Sequence, residues 1–133
     1  MRLTTFTDYS LRTLLYLGAR RDRLVTIEDI AATHAISKNH LTKVVHQLGV
    51  AGYIETVRGR NGGLRLKREP ADINLGELVR ATEPDFYMAE CFGPGGSNCA
   101  LGGSCLLKQA LMRATEAYLA TLDRQTLAML EPV

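Results

Sequence analysis

The sequence predicts a mainly α-helical chain with one small β-hairpin. Three observations predict it. Apolar residues recur at helical spacing in five separate stretches. A basic, glycine-rich turn, Arg58–Gly63, lies between two short runs of β-formers. Prolines and further glycines fall between these stretches and divide them.

Helix one is expected from about Thr7 to Arg20, with Leu11, Leu14, Leu15 and Gly18 on one face. Thr26 then reads as an N-cap, and Glu28 and Asp29 complement the dipole of a second helix that runs to about Thr33. After the turn His34–Ser37, Ser37 caps a third helix with Leu41, Val44, Val45 and Leu48 inward, ended by Gly49 and Gly52. Short helix, tight turn and second helix make a helix-turn-helix. Tyr53–Val57 and Leu64–Lys67 are the strands of the hairpin, which makes a wing. Pro70 ends the wing. Ile73, Leu75, Leu78 and Val79 define a short helix closed by Pro84. From about Ser104 to Leu122 a long helix carries Leu107, Leu111, Ala114, Tyr118 and Leu122 as a stripe. That stripe is longer than the rest of so small a chain can cover, so a partner helix in a homodimer is its expected cover. The predicted fold class is therefore a winged helix-turn-helix plus a long C-terminal dimerisation helix. Residues 1–68 would form the first region, and residues 69–133 a cysteine loop with that helix.

At 133 residues the chain fits one domain, or one small domain plus an appendage, and can bury a core without staples. No apolar run approaches the roughly 18 residues that span a membrane. No signal peptide is visible, and the odd cysteine count argues against a disulfide framework. A reducing cytoplasm is the expected location, with no membrane partner. No nucleophile–base set or phosphate loop appears: Gly59-x-x-Gly62-Gly63 is too short and lies in a hairpin, so an enzyme is not expected.

The net charge of +2 conceals a division. Residues 1–68 hold 12 Lys/Arg against 5 Asp/Glu, and residues 69–133 hold 4 against 9. A basic first half points to a polyanion. The start of the third helix offers Ser37, Lys38, Asn39, His40, Thr42 and Lys43, the groups a recognition helix presents to a major groove. Asn39 could bond an adenine edge, and Lys43 a guanine or a phosphate. Arg58 and Arg60 at the wing tip suit phosphates or a narrow minor groove. Double-stranded DNA with a palindromic operator is the expected partner of such a dimer.

Three cysteines, Cys91, Cys99 and Cys105, lie in one glycine-rich loop, and the chain has no others. Three thiolates are one ligand short of a closed four-ligand shell. Cys105 lies at the start of the long helix, where the dipole favours the thiolate. The spacing lacks the close pairs of structural zinc sites and fits an iron–sulfur cluster better. Zinc and a thiol redox switch remain open readings on these residues. A small electron-transfer or assembly protein would also carry such a loop, but the basic wing argues against it. His34, His40 and His46 lie in the DNA-reading region, and the local carboxylates Glu83, Asp85 and Glu90 are expected to be solvated.

Several stretches together resemble a known family. The start Met1–Arg12, Ser37–Leu41, Gln47-Leu48, Gly52-Tyr53, Val57–Leu66 and the three-cysteine loop are similar to the winged-helix iron–sulfur transcription regulators, over nearly the whole chain. Within that family the segment Cys105–Leu111 looks most like the nitric-oxide-sensing repressor branch. In other members a histidine three residues past the last cysteine completes the shell, and here that position is Lys108. The gap of seven residues between Cys91 and Cys99 is longer than in many relatives. The resemblance implies that Asp8, from the partner subunit, is the fourth ligand of a 4Fe–4S cluster, with 2Fe–2S as the other form. A hard oxygen ligand on iron would be displaceable. It further implies a repressor whose cluster is nitrosylated by nitric oxide, which releases the operator. The alternative is a regulator that senses iron–sulfur status or redox state through a 2Fe–2S cluster or a thiol switch.

Overall fold

The structure is a computed structural model that describes residues 1–96 and 98–130; Ser97 of the cysteine loop and residues 131–133 lie outside it. Helix α1 spans Thr5–Gly18. It begins before the expected Thr7 because Thr4 takes the N-cap, its hydroxyl accepting from the Thr7 amide. Leu14 and Leu17 fill the core, and Thr7, Ser10 and Thr13 are buried beside them. Helix α2 spans Ile27–His34. Thr26 and Asp29 form a reciprocal capping box: each side chain accepts from the other's backbone N–H, at 3.1 and 3.2 Å. The helix ends on Ala35, held in the left-handed region at φ 53°, a conformation that an L-residue adopts at a cost. Ser37 then caps α3, Lys38–Val50, accepting from the His40 amide at 3.1 Å. The four apolar positions expected inward on α3 are all buried.

Strands β1, Ile54–Val57, and β2, Gly63–Leu66, pair antiparallel in the register Ile54↔Leu66, Glu55↔Arg65, Thr56↔Leu64 and Val57↔Gly63. The turn between them needs its glycines. Gly59 has φ +110°, and a Cβ on Gly62 would lie 2.0 Å from the Val57 carbonyl oxygen. Leu64 also exchanges backbone bonds with Val25, at 3.0 and 2.7 Å, which fastens the wing to the segment before α2.

Helix α4, Leu75–Thr82, is capped by Asn74 and stopped by the proline that follows Glu83. Ile73, Leu78 and Val79 are buried. The chain end returns to this point: Leu127 is fully buried, and its N–H donates to the Ile73 carbonyl at 2.9 Å. Leu14, Ile30, Leu41, Ile54, Ile73, Leu78 and Leu127 thus share one core, drawn from both sides of residue 68.

Helix α5, Leu106–Asp123, is different in kind. Its 18 residues include none that is buried. Its C-terminal end is tied to α4 by the Arg80–Asp123 ion pair and by Asn74 Nδ2 donating to the Asp123 carbonyl at 2.7 Å. Leu111 and Leu122 of the expected stripe are half-buried, whereas Leu107 and Tyr118 stay exposed together with Leu106 and Met112. An apolar groove of about 580 Å³ adjoins this helix, walled by Leu3, Phe86, Tyr87, Leu111 and Tyr118 among others. Among the described residues no helix is long and apolar enough to cross a membrane.

Candidate cluster site and nucleic-acid interface

The cysteine loop folds so that its three cysteines line one cavity. Glu90–Phe92 form a single 3-10 turn, and Gly96 and Gly102 take positive φ values of 63° and 68° that let the loop reverse. The cavity, of about 250 Å³, is lined by Cys91, Gly96, Cys99, Gly102, Gly103, Cys105 and Lys108. Cys91 and Cys105 are half-buried and Cys99 is exposed. Cys105 is the N-cap of α5, its sulfur accepting from the Lys108 amide at 3.4 Å. The sulfur thus sits at the positive end of the helix dipole, an end that suits an anionic group.

Among the described residues no three or more His, Cys, Asp or Glu side chains converge closely enough to hold a single metal ion. Three soft donors spaced around a cavity suit a larger, polyatomic group, and the glycines of the wall leave room for inorganic atoms. The donor set therefore fits an iron–sulfur cluster.

Within one chain Asp8 does not line this cavity. Its carboxylate instead forms a two-pronged ion pair with Arg12, one helical turn on, at 2.9 and 3.1 Å. The other ligand candidates are also absent from the cavity wall among the described residues. His34 is half-buried, and its Nε2 is buried with no hydrogen-bond partner among the described residues. Burial, reinforced by the charges of Arg12 and Arg20, holds its pKa below the ordinary 6.5. His46 is exposed. Asp85 accepts from the Tyr87 amide at 2.9 Å.

Glu83 is a correction to the expectation of a solvated carboxylate. Its carboxylate accepts from the Thr4 amide at 3.0 Å, from the Thr4 hydroxyl at 2.5 Å and from the Thr7 hydroxyl at 2.8 Å. Burial pushes its pKa up, but the bonds from Thr4 and Thr7 together hold it below its usual value. Glu83 thus fastens the N-terminus of α1, which carries Asp8, to the end of α4, where the chain leaves for the cysteine loop. Sequence reasoning missed this because the partners are 79 residues apart.

The DNA-facing candidates divide by what already occupies them. The Ser37 oxygen caps α3, and the Thr42 hydroxyl donates back to the Lys38 carbonyl at 2.8 Å. Lys38 pairs with Glu28 of α2. The His40 ring meets the Tyr9 ring of α1 edge-on, with centroids 5.0 Å apart. Asn39 and Lys43 are exposed on α3, and Arg58 and Arg60 are exposed at the wing tip. Sequence reasoning also did not use Tyr9, although it adjoins Asp8 and touches the recognition helix.

The comparisons with known proteins agree with this architecture. A family model described as Rrf2, iron-dependent transcriptional regulator, matches residues 3–131. The HTH-type transcriptional regulator NsrR of Bacillus subtilis is 53% identical over 128 residues, covering 96% of this chain and 88% of the relative. The protein of the same name from Geobacillus kaustophilus is 51% identical over 129 residues, 96% and 88% of the two chains. Among solved structures, T. potens IscR matches with a TM-score of 0.76 at 26% identity, covering 98% of this chain and 86% of that one. The oxidised form of Staphylococcus aureus CymR matches with a TM-score of 0.77 at 26% identity, covering 100% and 98%. With a winged helix-turn-helix fold and a family match from residue 3 to residue 131, this chain belongs to the Rrf2 family of transcriptional regulators.

Proposed function

We propose that this chain is a homodimeric transcriptional repressor that senses nitric oxide through an iron–sulfur cluster held by Cys91, Cys99 and Cys105, with Asp8 of the partner subunit as fourth ligand. The observation that carries the reading is the single cavity shared by the three thiols at the N-terminus of α5. The high identity to regulators named NsrR supports it. When bound, the cluster would supply the iron chemistry toward nitric oxide, and the three cysteines with Asp8 would hold it.

The residues of the chain do the rest. The first region, 1–68, reads DNA: Asn39 and Lys43 meet base edges and phosphates, and Ser37, Lys38, His40 and Thr42 complete the face of α3. Arg58 and Arg60 follow the backbone or the minor groove beside it. The second region, 69–133, holds the cluster and pairs the subunits. The uncovered face of α5 and the groove beside it support a dimer, which suits a palindromic operator. Asp8 has two alternative partners. To hold the cluster it would have to leave Arg12, whose guanidinium holds both of its oxygens in the single chain. That exchange moves a side chain on α1, and α1 touches the recognition helix through Tyr9 and His40.

Anaerobically purified protein tests the proposal. About four irons and four sulfides per chain are expected for a 4Fe–4S cluster. An operator fragment selected by this holo-protein from random-sequence DNA should be released when nitric oxide is added. Equal operator affinity before and after nitric oxide would refute the sensing role. Two irons per chain with no response to nitric oxide would favour the iron-status or redox reading.

A further inference from the structure

We propose that Lys108 is a positioning and charge-balancing residue of the metal centre; this rests on the cluster reading above. Lys108 lines the cavity that holds the three sulfurs, and it is the one cationic side chain on that wall among the described residues. It is half-buried. Its ammonium donates to the Cys91 carbonyl at 3.1 Å and lies 5.7 Å from the Phe92 ring centroid. One side chain of α5 thereby holds the turn that presents the first cysteine next to the helix end that presents the third. Its own amide donates to the Cys105 sulfur, so Lys108 touches both ends of the ligand set.

The place is electrostatically odd for a lysine. It lies in the first turn of α5, where the helix dipole is positive, and that turn carries no carboxylate to offset it. A cation there is disfavoured by the helix alone. It becomes favourable when an anionic group occupies the cavity, and three thiolates with a carboxylate around iron and sulfide form such a group. The ammonium then does two things. It keeps the Cys91 turn closed by a hydrogen bond, and it offsets part of the negative charge gathered on the cluster. A nearby positive charge favours the more reduced, more negative state, so Lys108 raises the reduction potential of the centre.

The test uses the full chain with Lys108→Gln, which keeps length and removes charge, and Lys108→Arg, which keeps charge. In the metal-free proteins, hydrogen exchange at the Phe92 and Gly93 amides, which close the 3-10 turn, should be about tenfold faster in Lys108→Gln than in wild type. In the reconstituted proteins, the potential of Lys108→Gln should shift to more negative values, and Lys108→Arg should restore it. Failure of Lys108→Gln to take up a cluster that wild type and Lys108→Arg both retain would also support the role. An unchanged potential in Lys108→Gln overturns the proposal and leaves the cluster reading standing. Loss of the cluster in both variants overturns it too, because arginine keeps the charge. Wild-type protein that takes up no iron or sulfide at all overturns the cluster reading, and this role with it.

Discussion

Replacing Glu83 with alanine removes the acceptor that holds the start of α1. Four contacts converge on its carboxylate: two from the Thr4 amide, at 3.0 and 3.2 Å, and one each from the hydroxyls of Thr4 and Thr7. They do not all count equally. The Thr7 hydroxyl has one proton, and Thr82 Oγ1 stands 2.8 Å away as its other acceptor, so the buried Thr7 stays satisfied after the change. Thr4 is half-buried, and water can replace part of what it loses. What remains is one or two hydrogen bonds to a charged acceptor, together with an anion at the positive end of α1. With about 1.5–3 kcal/mol per such bond discounted for solvent, and about 0.3–1 kcal/mol for the dipole, the loss is about 2 kcal/mol. At a fixed protein concentration the urea midpoint should fall by about 1 M. Glu83→Gln adds a pH signature. The folded carboxyl titrates below its ordinary value of 4.5. As the pH falls from 4.5 the unfolded chain binds the proton first, so the contribution of Glu83 is complete above 4.5 and disappears as the pH passes through the folded value. The glutamine variant should therefore be less stable at neutral pH and show a flatter acid limb than wild type. A loss under about 0.5 kcal/mol in the alanine variant, or an acid limb unchanged in the glutamine variant, would refute the anchoring role.

Three further outcomes follow from the same structure. Burial holds the His34 pKa below 6.5 in the fold, so wild-type stability should decline as the pH drops below 6.5 and the unfolded chain takes up the proton first; His34→Gln should remove that component from denaturation curves collected across the range. Ala35→Gly relieves the left-handed backbone at the end of α2 and should raise stability by about 0.5–1 kcal/mol, seen as a melting temperature a few degrees higher. Gly62→Ala brings a Cβ against the Val57 carbonyl and should cost about 2–3 kcal/mol, with faster amide exchange in β1 and β2; normal protection there would contradict the turn geometry.

Local chemistry was readable and distant pairing was not. Thr26 and Ser37 each cap the helix that follows them, because a cap depends on residues two or three positions away. The apolar face of α3 and the hairpin around Arg58–Gly63 likewise followed from spacing and glycines. Helix α1 starts earlier than expected because Thr4, one of several neighbouring threonines, takes the cap, and its hydroxyl also donates to Glu83 from the far side of the wing. The return of Leu127 to Ile73 left no trace in periodicity, since one apolar residue in a short 3-10 turn has no pattern. At the candidate site the three cysteines announced themselves by type and clustering. The bond from Lys108 to the Cys91 carbonyl did not, because a lysine beside a glycine-rich loop reads as a solvated charge until the loop is folded over it.

Helix α5 has a consequence for dosage. An isolated helix of about this length is close to its helix–coil midpoint in water unless tertiary packing holds it, and none of the 18 residues of α5 is buried. Its order at the N-terminal end then depends on what covers it and, if the cover is a second copy as proposed above, on how many copies of the chain are present. That end carries Cys105. Dilution would loosen the first turn and spread the three sulfurs before the DNA-reading core, which is packed on its own side chains, lost its shape. If the proposed dimer covers this face, the number of molecules in the cell would become a second input to the proposed centre, acting through assembly.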